Sequence, residues 1–231
     1  MEALFQEVDA DYHRKLLDAL PSDPSARLLD VGCDDGGWTS QLASRIGIPA
    51  SQVSGIEIVE ERRELAQARG FTVLEADLEA PWPFADASFD IVHANQVIEH
   101  VKRLDHFMAE ATRVRAPGGL LLICTENLSS WHNVGALVMG YQPFSVTNIS
   151  QTGPLGNPFA LHEESSWESW QHVHVVALTA LRELFRRFAL DERSVFASGY
   201  YPAWGRLASR LADRDPRHAH FIGVTGTLSR S

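Results

Sequence analysis

From Leu28 to Thr125 the chain alternates short apolar runs with charged, amphipathic segments, and this alternation limits the fold more than any other feature. "ARLLDVG", "QVSGIEIV", "FTVLEAD", the middle of "DASFDIVHANQV" and "LLLICT" have the length and apolar character of strands. Between them, "WTSQLASRIG", "EERRELAQARG" and "VKRLDHFMAEATRVRAPGG" read as helices. Gly47, Gly70 and Pro117-Gly118-Gly119 end them, and Asp105 is placed to cap the last. Strands alternating with helices imply right-handed βαβ units, hence an α/β fold with a parallel sheet and helices on both faces. "LLLICT" is apolar throughout, as a strand buried on both sides requires. Ahead of this region Leu4, Val8, Tyr12, Leu16 and Leu20 recur at helical spacing, up to Pro21 and Pro24.

After Thr125 the rhythm breaks. Residues 128–171 are rich in Ser, Asn, Gly, Pro and Trp, with one helix expected in "SSWHNVGALVMG". So long an insertion after the fifth strand reads as a lid. Its aromatics, Trp131, Tyr141, Phe144, Phe159, Trp167 and Trp170, argue against disorder. The alternation then returns. "TALRELFRRF" reads as a helix with Leu181, Leu184, Phe185 and Phe188 inward, and "SVFASGYY" and "HFIGVTGTL" as two closing strands. No linker marks a second domain. Residues 1–231 are expected to form one: a helix over 1–25, a core over 26–127, the lid over 128–171 and a closing segment over 172–231.

"LLDVGCDDGGWTSQLA" is a strand, a glycine turn and a helix, which places a ligand site at the carboxyl edge of the sheet. Two ligand classes compete: a dinucleotide, or a nucleoside without phosphates. The dinucleotide fingerprint needs a second glycine for close approach to pyrophosphate, and here Asp34 holds that place. Adjacent carboxylates on Asp34 and Asp35 would repel pyrophosphate and attract a sulfonium or ammonium cation.

On these residues the chain resembles the class I S-adenosylmethionine-dependent methyltransferases. Asp30, Gly32 and Gly36 match motif I of that family, with Asp34 departing from its middle glycine. "GIEI" resembles the second motif, in which Glu57 would accept both ribose hydroxyls. In "EADLEAPWPFADASFDIV", Asp77 matches the carboxylate for the adenine amino group and Leu78 an adenine contact. "NQVIEHV" and "RVRAPGGLLLICTEN" resemble the segments after strand four and into strand five. The resemblance covers residues 28–127. It implies a Rossmann-like, mostly parallel seven-stranded sheet whose last strand is antiparallel. It also implies S-adenosylmethionine as cofactor and a donor site of Asp30, Gly32, Cys33, Asp34, Gly36, Glu57, Ile58, Asp77, Leu78 and Asn95. Asp34 is expected to face the methionine ammonium.

Methyl transfer to a hydroxyl also needs a group to take the proton. Glu99 and His100 follow strand four, where the acceptor is expected, and His132 on the next helix could point inward. Each has a plain structural alternative: a bond to the neighbouring helix for His100, an exposed helix position for His132. Glu126 and Asn127 follow strand five, and His172 and His174 in "HVHV" share one face if that stretch is extended. Related enzymes with "EH" at this point sometimes bind a metal with further carboxylates. Asn95 and Gln96 stand where those acids would be, so no metal is expected. "RDPRHAH" could meet an anionic acceptor or be a solvated turn.

The acceptor expected is a small molecule, and its methylated atom most simply a hydroxyl oxygen of a natural product, sugar or lipid-linked saccharide. A formal charge of −10 argues against nucleic acid as partner. The two cysteines, Cys33 and Cys124, lie in apolar contexts and read as reduced. With no apolar run of membrane-span length and an acidic opening, a cytoplasmic setting is expected. A homodimer is left open. Two other readings compete: a silent S-adenosylmethionine-binding interaction protein, and a nicotinamide-dependent oxidoreductase, against which the missing second glycine counts.

Overall fold

The computed structural model describes residues 2–150, 153–160 and 171–228, with nothing said of the side chains of residues 2–6. His162, Trp167 and Trp170 of the expected lid fall outside the described residues. Helix α1 (Glu2–Asp18) precedes β1 (Leu28–Val31), α2 (Gly37–Ile46), β2 (Val53–Ile56), α3 (Glu60–Ala68) and β3 (Thr72–Leu74). Then come β4 (Phe89–Asn95), α4 (Leu104–Val114), β5 (Arg115–Glu126) and α5 (Trp131–Val138). The chain closes with α6 (Leu178–Arg187), β6 (Leu190–Ser198), α7 (Gly205–Arg214) and β7 (Phe221–Leu228). Among the described residues seven strands form one sheet, in the order β3-β2-β1-β4-β5-β7-β6. β7 runs antiparallel to both β5 and β6, while the pairs from β3 to β5 are parallel.

Alternation of side chains along each strand splits the core into two layers. Leu29, Val31, Val92, Ala94, Leu121 and Ile123 share one face with Phe107 and Met108 of α4 and with Leu181 and Phe185 of α6. Leu28, Ile91, Leu122 and Cys124 share the other with Tyr12 and Leu16 of α1 and with Leu42 and Ile46 of α2. Helices therefore cover both faces, as the alternation requires. No helix among the described residues is long and apolar enough to cross a membrane.

Several local expectations are corrected. Arg103, not Asp105, holds the N-cap position of α4, without a side-chain cap; Asp105 lies in the first turn, where its charge suits the helix dipole. α4 ends at Val114, and Pro117-Gly118-Gly119 lies inside β5, at an irregularity where the register shifts between Phe89 and Ile91. The Arg115 guanidinium closes this bulge by donating to the carbonyls of Ala116 (3.1 Å) and Gly119 (2.7 Å). β3 ends at Leu74, which leaves Asp77 in a loop. α7 was not expected at all.

Candidate active site

The glycine turn joins the tip of β1 to α2. Gly32 (φ 71°), Asp34 (φ 48°) and Gly36 (φ 75°) all lie in the left-handed region. A Cβ at Gly32 would sit 2.7 Å from Val97 Cγ2, so both backbone and packing demand glycine there. The turn is closed on itself. Gly32 and Cys33 donate their N–H groups to the Ile56 carbonyl (2.9 and 3.1 Å), and Gly36 donates to Cys33 (3.0 Å). Asp34 donates to Glu57 Oε2 (3.0 Å) and Gly37 to Asp35 Oδ1 (2.7 Å). A pyrophosphate cradle needs such groups free. The turn does not suit a dinucleotide.

Glu57 stands at the tip of β2, its carboxylate oriented by the N–H groups of Asp34 and Val59 (2.8 Å). Beside it Ile58 is 60% exposed, an apolar side chain with little protein cover. Leu78 is half-buried, and the exposed Asp77 accepts the Glu79 N–H (2.9 Å). An oriented carboxylate next to bare apolar surface fits the vicinal hydroxyls and ring of an unphosphorylated adenine nucleoside.

Other expected donor residues are placed differently. Asp30 is buried, with Oδ1 2.7 Å from His93 Nδ1 and Oδ2 accepting the Thr39 hydroxyl at 2.5 Å. The register of β1 with β4 sets this pair, since Asp30 lies directly opposite His93. Asp30 thus braces β1, β4 and α2 against one another. Asp34, expected to face the methionine ammonium, pairs its carboxylate with Arg62 Nε (3.3 Å). The Asn95 amide oxygen accepts the Tyr12 hydroxyl. Both cysteines are free and buried, and burial raises both thiols, so Cys33 offers the site its main chain only.

On the acceptor side, the ends of β4 and β5 and the start of β7 gather two carboxylates and four imidazoles. Glu99 is buried; its Oε2 accepts the Thr125 hydroxyl (2.9 Å), and its Oε1 has no partner. The rings of His100 and His172 stand 5.0 Å apart, edge to face. Glu126 lies 4.0 Å from His172 Nδ1 and 3.7 Å from His220 Nε2. His132 packs edge to face on His220 at 4.5 Å. Burial, helped by the Glu126 charge, pushes the Glu99 carboxyl up to about 8. Burial works against ionisation of Glu126 too, but His220 and His172 outweigh it and hold that carboxyl down at about 2. Burial and the neighbouring His220 lower His132 to about 3, so its imidazole stays neutral. Two carboxyls a short distance apart thus hold opposite protonation states at neutral pH.

The sequence points to Glu99, His100, His132, Glu126 and His172 as candidates, and these do come together. The structure does not bring in Asn127, whose amide donates to the carbonyls of Arg217 and Ala219. His174 parts from His172 and bonds the Lys102 carbonyl (3.1 Å), so "HVHV" does not present both rings to one place. Trp131 stacks on His218 and donates to the Tyr200 hydroxyl. Thr125 was missed, and His220 was read only as the end of "RDPRHAH". An antiparallel last strand starts at the edge where β5 ends, with Phe221 opposite Glu126, and that topology is the signal that finds His220.

Residues 29–123 match the family model described as a methyltransferase domain. Over 128 residues the chain is 31% identical to 27-O-demethylrifamycin SV methyltransferase of Amycolatopsis mediterranei, covering 52% of this chain and 46% of that protein. Over 122 residues it is 34% identical to 24-methylenesterol C-methyltransferase 2 of Oryza sativa subsp. japonica, covering 50% and 33%. The match thus spans less than half the length of these curated relatives. A solved S-adenosylmethionine-dependent methyltransferase from Mesorhizobium loti superposes with a TM-score of 0.62 at 16% identity, over 95% of this chain and 99% of that one. Residues 29–123 thus carry a methyltransferase domain, and strand order and superposition give the chain the fold of the class I S-adenosylmethionine-dependent methyltransferases.

Proposed function

We propose that the chain transfers the methyl group of S-adenosylmethionine to a hydroxyl of a small molecule. The observation that carries this reading is the cluster of Glu99, Glu126, His100, His132, His172 and His220 beside the donor edge. An amine that is already nucleophilic needs no such company, whereas a hydroxyl must lose a proton to react. The relatives named above act at oxygen and at carbon by their names, so the preference for oxygen stands on the cluster.

Glu57 would hold the ribose, Ile58 and Leu78 the adenine ring and Asp77 its amino group. The chemistry that S-adenosylmethionine supplies when bound is a methyl group already activated by its sulfonium. The protein is left with alignment, exclusion of water and the acceptor proton. Glu99 Oε1 and His132 Nδ1 are buried polar atoms of the cluster without a hydrogen-bond partner. His100 supplies a lone pair: its Nδ1 lies 3.2 Å from the Gln171 carbonyl, which can only accept, so the proton is on Nδ1 and Nε2 carries the lone pair.

A panel of phenols, sugars, amines and acidic carbon compounds, read by mass spectrometry with methyl-labelled donor, tests the reading. Label is expected on oxygen, and label found only on nitrogen or carbon refutes it. On the donor side, Asp34→Gly is expected to leave affinity for S-adenosylhomocysteine within about twofold, because the carboxylate points at Arg62. Its stability is expected to change by less than about 1 kcal/mol, relief of left-handed strain offsetting the added chain entropy. Calorimetric titration and a denaturant melt measure the two.

A further inference from the structure

We propose that Glu99, His100 and His172 form a site for one divalent transition-metal ion, which takes the acceptor hydroxyl as a further ligand. The inference deepens the function proposed above and rests on it for the identity of the acceptor. One ligand atom from each of the three residues lies within 4.8 Å of the other two. Each residue is also held by a partner of its own, the arrangement that orients metal ligands. The Thr125 hydroxyl holds Glu99 through Oε2 and leaves Oε1 unpaired on a side chain only 1% exposed. His100 donates from Nδ1 to the Gln171 carbonyl (3.2 Å) and His172 from Nδ1 to the Ser145 carbonyl (2.7 Å). Carbonyl oxygens only accept, so both rings carry their proton on Nδ1 and present Nε2 as a free lone pair.

The support extends one layer further. Asn133 of α5 pins Ser145 by two hydrogen bonds, to its hydroxyl (2.9 Å) and from its N–H (3.3 Å). The stretch carrying His172 is tied to the loop after β4, since Val173 and His174 both donate to the Glu99 carbonyl (2.7 and 3.1 Å). The absence of acids at Asn95 and Gln96 is made good by this distant histidine. Those two residues bond Tyr12 instead.

Two imidazoles and one carboxylate, the Glu99 carboxyl giving up its proton as the ion binds, suit Mn²⁺, Fe²⁺, Co²⁺ or Zn²⁺ better than Mg²⁺ or Ca²⁺, which prefer oxygen. Three protein ligands leave positions open, as in catalytic rather than structural sites. Ligation of the hydroxyl by such an ion lowers its pKa, so it can give its proton to water at neutral pH. The oxygen lone pair then forms the O–CH₃ bond while the S–CH₃ electron pair returns to sulfur. The products are the methyl ether, S-adenosylhomocysteine and one proton, with the ion's oxidation state unchanged.

The test is binding of Mn²⁺ and of Zn²⁺, each alone, to the full chain stripped with chelator. Calorimetry follows both ions, and the electron paramagnetic resonance of free Mn²⁺ gives an independent count. One ion per chain is expected, weakened about 10- to 100-fold by Thr125→Val and by more in His172→Ala and Glu99→Gln. S-adenosylhomocysteine binding unchanged in each variant shows that it is folded. Should a variant lose that binding, Thr125→Ser, which keeps the hydroxyl, must bind the ion like the parent. No stoichiometric binding of either ion, or equal binding by parent and His172→Ala, overturns the site. Hydroxyl methylation that persists at full rate in chelator also overturns it, while leaving the proposed function standing. Ion binding that needs His172, with methyl label only on nitrogen or carbon, does the reverse.

Discussion

Glu57→Gln is expected to weaken S-adenosylhomocysteine binding by about 30- to 1,000-fold while leaving the free protein folded. The half-buried carboxylate of Glu57 is held at the tip of β2 by the N–H groups of Asp34 and Val59, one on each oxygen. Two ribose hydroxyls on an ionised carboxylate make two charge-assisted hydrogen bonds, each worth roughly 1.5–3 kcal/mol. Glutamine keeps the shape but lacks the charge, and its NH₂ can accept nothing. A loss of about 2–4 kcal/mol corresponds to the range given. In the free protein the NH₂ faces one backbone N–H, at a cost of about 1 kcal/mol. Calorimetric titration gives the first quantity and a ligand-free melt the second. Binding within threefold of the parent would mean that Glu57 does not hold the sugar, and the donor site would have to lie elsewhere.

Asp30→Ala should cost about 3–5 kcal/mol of stability, a large part of what holds a domain folded. The substitution strips His93, which is fully buried, of its one ring partner, since its Nε2 already has none. Thr39 keeps only a 3.5 Å contact to the Cys33 carbonyl. Asp30→Asn retains an acceptor for one of the two and should lose less, about 1–2 kcal/mol. Denaturant unfolding of the three proteins orders them. If Asp30→Ala instead unfolds like the parent and loses only donor affinity, the residue is a ligand contact and the bracing role is wrong.

The contrast between Asp30 and Glu57 shows what a linear sequence can carry. Both lie near the carboxyl tips of strands and both match a family motif, yet Asp30 is buried and Glu57 only partly so. The difference lies in which residue sits opposite on the next strand, and His93 is an unremarked letter until β1 and β4 are in register. The alternation of strands and helices was legible because it is local: periodicity and glycine stops act over a few residues. α7 escaped because it is short and the side chains it buries are the alanines Ala208 and Ala212, while Leu207 is 60% exposed. Along the acceptor edge, Glu99 and His100 could be read from their position after β4. The partnership of His100 with His172 could not, because Ser145, Gln171 and the Glu99 carbonyl set it from distant parts of the chain. Local spacing pointed away from a metal, whereas the folded chain brings three side chains able to ligate one within 4.8 Å.

The self-contained hydrogen bonding of the turn after β1 bears on how this scaffold could be re-engineered. A coenzyme pyrophosphate would meet the amides of Gly32, Cys33, Asp34, Gly36 and Gly37 already taken, which disfavours it without any bulky gatekeeper. Restoring a glycine at position 34 would not convert the protein into a dehydrogenase. The designer would have to break the Glu57 bond to that turn as well, and with it the bond that orients the carboxylate we assign to the ribose.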